Sequence, residues 1–237
     1  MLGLVSEGRQ VKDKEIDDIL EQAVGASPEV NPELLSRVSM TIGTSLRPVR
    51  PLAPAWMLVS VLWLIAAVIS IAAASLLGME GIRRLSGAEA LTIFPVLALL
   101  IGFTAWLNVA EMTPGAFRIA NPRTLLLMTL LLCLAVDAAL FHDYQTASLV
   151  RQGIPCLRAG LIVAAPVGVA SWLTLRRGFA VDASAAGLAA GTLAGLAGLA
   201  MLEFHCPNHR ALHIMIWHTG VIPISAFAGS LLGLIRR

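Results

Sequence analysis

The run His205-Cys206-Pro207-Asn208-His209-Arg210-Ala211-Leu212-His213-Ile214-Met215-Ile216-Trp217-His218 places four of the chain's five histidines and one of its three cysteines within fourteen residues. Thiolate and imidazole are the ligands that soft and borderline metals prefer, and a partly exposed thiol is also the commonest redox switch. Pro207 suits the first turn of a helix, where its missing N–H is no loss, so Cys206 reads as the mouth of a final helix. At 100° per residue Cys206, His209, His213 and Trp217 then share one face, while His218 is turned well away from His213. Rise alone separates Cys206 from His218 by roughly 18 Å along the axis, so in a bilayer the cluster runs from one surface to near the midplane. Two readings stand side by side: a metal or redox site, and ordinary interfacial histidines, since the two close ligand pairs of a zinc motif are absent from the sequence.

The elements that must hold these residues follow from composition. A chain of 237 residues that is 57% hydrophobic and 14% charged, with mean hydropathy +0.79, is too apolar for one soluble domain and reads as an all-α polytopic membrane protein. A net charge of +2 gives no argument for direct nucleic-acid binding. Three cysteines without a CxxC pair exclude a disulfide-dense scaffold. Met1 to Gln10 lack the apolar core of a secretory signal.

Residues 1–53 read as a polar tail with two short helical patterns. The first, about Val11 to Val24, puts Ile16, Ile19 and Leu20 on one side. The second begins at Asn31-Pro32 and carries Leu34, Leu35, Val38, Ile42 and Leu46 as its stripe. Two helices of this size do not bury both stripes by themselves, so the tail invites a protein partner or lies as a loose hairpin on the membrane surface. The Pro- and Arg-rich run from Arg47 to Pro54 reads as a stiff linker.

Residues 54–237 hold six apolar stretches near the roughly 20 residues a bilayer core demands, at about 55–78, 90–112, 124–142, 154–175, 183–204 and 212–235. With the tail inside, Arg47, Arg50, Arg118, Arg123, Arg176, Arg177, Arg236 and Arg237 fall on the inner side. Arg83, Arg84, Arg151, Arg158 and Arg210 fall outside. The bias favours cytoplasmic amino and carboxyl termini. Cys156 and Cys206 then lie at the outer surface, where a disulfide between them is topologically allowed, while Cys133 sits within the third span.

Gly187, Gly191 and Gly195 form a smooth ridge on the fifth span, a packing surface for another helix. Asp137 in the third span needs a partner at depth, with His213 or His218 the expected one, or else looks out at interfacial water. Asn108 and Glu111 read as interfacial.

At Cys156, at His205-Cys206-Pro207-Asn208, at His213 and at Trp217-His218, the chain resembles the NrsF type (negative regulator of sigma F), bacterial anti-sigma factors with six membrane spans. The resemblance implies an inner-membrane protein that is not an enzyme. Its partner would be an extracytoplasmic-function sigma factor, held by the tail and released when the outer site meets metal ions or oxidants. Carried over by residue, the sensing thiols would be Cys156 and Cys206, with His205, His213 and His218 as candidate ligands for a transient zinc, cadmium or similar ion. The candidate tail contacts are Ile16, Ile19, Leu20, Leu34, Leu35, Val38 and Ile42. Two rival classes remain from the residues alone. A membrane thiol oxidoreductase would explain the outward thiols but lacks relay cysteines, and a metal or haem permease lacks an acidic path through the spans.

Overall fold

A computed structural model describes residues 31–45, 52–113, 115–116, 120–146, 148–178, 180 and 182–235, together with Asp18, Glu21 and Gln22. The chain divides into two units, Met1–Pro51 and Leu52–Arg237. In the first unit, a helix runs over Pro32–Ser45. Asn31 opens it by accepting from the Glu33 amide, and Arg37 pairs with Glu33 one turn on. Leu34, Leu35, Val38 and Ile42 are exposed along it. Ile16, Ile19, Leu20, Leu46, Arg47, Arg50, Arg118, Arg236 and Arg237 lie outside the described residues.

The second unit holds six helices long and apolar enough to cross a membrane: Ala55–Leu77, Gly87–Glu111, Pro122–Leu140, Leu149–Leu175, Ala183–His205 and Ala211–Ile235. No strand occurs among the described residues. Local chemistry sets several boundaries. Ser86 and Glu89 form a reciprocal capping box at the second span, Asn121 followed by Pro122 opens the third, and Asp182 accepts from the amides of Ser184 and Ala185 at the fifth.

The fifth span is the axis of the bundle. Of its most apolar stretch 89% is buried, against 22 to 33% in the other five, which therefore surround it. Its composition explains why. A side chain at Gly187, Gly191 or Gly195 would collide with the sixth-span backbone at Gly229, Ser225 and Ile222, so the two helices touch main chain to main chain. The glycine ridge read from the sequence meets the sixth span. Ser70 on the first span donates to the Ala197 carbonyl at 2.7 Å, and Phe94 of the second stacks on Phe204 at 4.4 Å, tying both to the same axis.

Asn108 and Glu111 stand at the end of the second span. Both are buried, at 0% and 1% exposure, because the end of the second span faces inward onto the packed bundle.

Candidate functional site

The fifth span ends at His205, and Cys206 caps it by donating its amide to the Leu202 carbonyl at 2.7 Å. Residues 206–210 are not helical, and the sixth span begins only at Ala211. The sequence reading of Pro207 as a first-turn residue is therefore corrected. Asn208 turns the chain instead, its Oδ1 accepting from the Arg210 amide at 3.2 Å and its Nδ2 donating to Gln152 at 2.8 Å. The Ala211 amide donates to the Asp143 carbonyl at 2.8 Å, which pins the start of the last span against the connection between the third and fourth. The bent loop removes the expected axial separation of Cys206 from the histidines.

A second correction concerns the histidines. The sixth span starts as one α turn, Ala211–His213, and widens into a π turn over Ile214–His218, marked by the Thr219 amide bonding the Ile214 carbonyl at 3.1 Å, five residues back. A residue is thereby accommodated without advancing the helix face. His213 and His218, which a regular helix would hold about 140° apart, stand ring to ring at 5.2 Å in an edge-on pair. His209 does not join them. It packs on Phe141 at 5.6 Å, and burial pulls its pKa below the ordinary imidazole range.

The result is a compact constellation. One ligand atom each from Cys156, Cys206, His213 and His218 lies within 4.8 Å of all the others. Cys156 Sγ is 3.5 Å from Cys206 Sγ, both thiols being free, and Cys206 Sγ is 3.5 Å from His213 Nε2. The Cys206 thiol is held above its ordinary range, first because it is hydrogen-bonded to Cys156 and then because it is buried; the His213 contact opposes both. Of the residues singled out in the sequence, His205 stands apart, its Nδ1 2.8 Å from the Gly78 carbonyl oxygen. Cys133 is buried on the third span and is not among the four converging residues.

The partners at depth also differ from expectation. Asp137 is buried and accepts from Thr219 Oγ1 at 3.2 Å, so neither histidine is its hydrogen-bond partner. His218 is held by Glu203, Nδ1 to Oε1 at 2.8 Å, with both side chains at 2% exposure or less. Sequence reasoning missed Glu203. The signal was available: it is the one acidic side chain within the Ala183–His205 span, and an ionisable group inside an apolar span marks function. With Nδ1 engaged, His218 Nε2 is left buried and without a hydrogen-bond partner among the described residues.

The donor set fits a metal ion. Ligand atoms of a tetrahedral zinc site stand roughly 3.3–3.8 Å apart, as follows from bond lengths of ~2.0–2.3 Å, so closing this cluster needs side-chain shifts on the order of 1 Å. Two sulfurs and two imidazoles suit zinc or cadmium, and a carboxylate on the far nitrogen of a ligating histidine is the usual supporting contact. The same sulfur pair can oxidise, since Sγ–Sγ need only contract to about 2.05 Å. Access is provided by a vestibule of about 780 Å³ whose lining includes Arg84, Asp143, Arg151 and His209 as well as both cysteines and His213.

A family model described as NrsF, negative regulator of sigma F, matches residues 43–236. No curated protein and no solved structure matches the chain.

Proposed function

The chain belongs to the family of negative regulators of sigma F, and on that premise we propose that it is an anti-sigma factor of the bacterial inner membrane that restrains an extracytoplasmic-function sigma factor. In this reading both termini face the cytoplasm and the Cys156/Cys206 end of the bundle faces outward. The sigma factor is held by the tail and released when a soft metal ion or an oxidant reacts at the cluster. The observation that carries the sensor reading is the convergence of Cys156, Cys206, His213 and His218 from three different helical spans or their ends. A ligand that draws the four together moves the fourth, fifth and sixth spans relative to one another. Because Ser70 fixes the first span to the fifth, such a movement has a path to the span that follows the tail.

With a metal ion, Cys156, Cys206, His213 and His218 would supply the ligands, and both thiols would lose their protons. With a peroxide, the two thiols give up two protons and two electrons, the disulfide forms, and the oxidant is reduced to water. Either event must supply a coupling of about 1–3 kcal/mol to change sigma affinity about 5- to 150-fold.

The grip is assigned to the apolar stripe Leu34, Leu35, Val38 and Ile42, exposed on Pro32–Ser45, with Ile16, Ile19 and Leu20 as further candidate contacts. These residues precede position 43, where the family match begins.

The reading is tested by placing Cys156→Ser and Cys206→Ser in cells carrying the cognate sigma factor. Promoter output should stop rising under cadmium or peroxide while repression at rest persists. A response equal to wild type in both variants would sink the sensor assignment.

A further inference from the structure

Glu203 takes no part in the ligand set, yet it is the group best placed to decide which ion the set accepts. It sits 2% exposed in a span that carries no other charged side chain, and its Oε1 lies 2.8 Å from His218 Nδ1. Its second oxygen, Oε2, is buried and has no hydrogen-bond partner among the described residues. Two consequences follow. The contact fixes the His218 ring with Nε2 as its available ligand atom. It also places a negative charge one imidazole ring away from the ion position, in a setting where water does not screen it.

Resting on the reading of the cluster as a metal site, we propose that Glu203 is a specificity-determining residue that biases the site toward divalent over monovalent soft cations. The argument is a charge count. Two thiolates and Glu203 carry three negative charges between them. A divalent ion leaves a net charge of −1, whereas a monovalent ion leaves −2 in the same buried volume. Coulomb attraction from a fixed carboxylate scales with the charge of the ion, so Glu203 adds twice as much binding free energy for the divalent ion as for the monovalent one. Asp137 shares a small cavity with Glu203. It is anchored by Thr219 and stays constant in the comparison below.

The experiment uses the full chain in detergent or nanodiscs, titrated with Cd²⁺ alone and with Ag⁺ alone. Binding is followed by the thiolate-to-metal charge-transfer band and by protection of Cys156 and Cys206 from alkylation. Glu203→Gln keeps an acceptor for His218 Nδ1 and removes only the charge. Cadmium affinity should fall by about 10–100-fold, the range seen when a supporting carboxylate is lost. Silver affinity should then fall by the square root of that factor, about 3–10-fold. Glu203→Asp retains the charge, so its cadmium-to-silver affinity ratio should stay near that of wild type even if both affinities drop. Equal losses for the two ions in Glu203→Gln, or no cadmium loss, overturn the proposal and leave the metal site standing. Absence of any band or protection in the wild type overturns the metal reading and this proposal with it. Oxidative closure of the Cys156–Cys206 pair in each variant confirms that the two thiols still meet.

Discussion

The π turn makes a sharp distinction between two deletions of equal size. Deleting Ile216, half exposed and lying between the two histidines, lets the sixth span run as a regular α-helix with His213 and His218 four residues apart. Four residues advance 400°, so the rings stay within about 40° of one face. Deleting Gly220 shortens the span by the same one residue but leaves the histidines five apart. The inner part of the span is fixed by its backbone contacts with Gly187, Gly191 and Gly195, and its start is fixed by the Ala211–Asp143 bond. The intervening helix must then become regular, because keeping the π turn would put Val221 in the place of Gly220, where a side chain meets the Ile216 carbonyl oxygen. Trp217 takes the place of His218, and His218 moves to that of Thr219. On a helix of radius ~5–6 Å with its side chains, a 100° step carries the imidazole roughly 8 Å, far beyond the ~0.2 Å tolerance of a metal–ligand bond. Cadmium titration of the purified variants should give an affinity close to wild type without Ile216. Without Gly220 the affinity should fall by at least about 10–100-fold, since both a ligand and its supporting carboxylate are disengaged. Oxidation to the Cys156–Cys206 disulfide should proceed in both. Wild-type cadmium affinity in the Gly220 deletion would refute the claim that the π turn assembles the site.

Three further outcomes follow from the structure. Cys156→Ala removes the larger of the two causes that raise the Cys206 thiol, so the Cys206 thiolate should form at lower pH. The pH midpoint for modification of Cys206 by a small thiol reagent, read by mass spectrometry, should move down from its wild-type position, and an unchanged or higher midpoint contradicts the assigned cause. Gly191→Leu drives a side chain into the Ser225–Ala226 backbone and should destabilise the bundle by about 1–3 kcal/mol or more. Gly102→Ala meets only the Trp63 ring at 3.5 Å and should be near neutral in thermal unfolding.

Much of this architecture was legible in the sequence because each part is fixed by a rule with a short range. Six apolar runs appear as six spans with boundaries shifted by a few residues, and the glycine ridge sits at a helix contact because only Gly allows backbones so close. The proximity of the two thiols followed a similar logic, since only one end of the bundle was open to both. What failed was the assumption that residues 206–218 form one regular helix. A helical wheel at 100° per residue has no place for a loop closed by Asn208 or for a π turn, and each depends on contacts made elsewhere, with Gln152 and Asp143 in one case and Glu203 and Asp137 in the other.

Glu203 and Asp137 illustrate the limit more sharply. Both are lone acids within apolar spans, and each is expected to find a partner. The sequence leaves Asp137 either a histidine, His213 or His218, or interfacial water, whereas the fold gives His218 to Glu203 and leaves Asp137 to Thr219, the residue directly after it. The exchange turns on a single residue of helical register, because the extra residue of the π turn decides whether His218 or its neighbour faces the fifth span. Register in the last span is therefore the quantity that fixes which side chain meets each buried carboxylate.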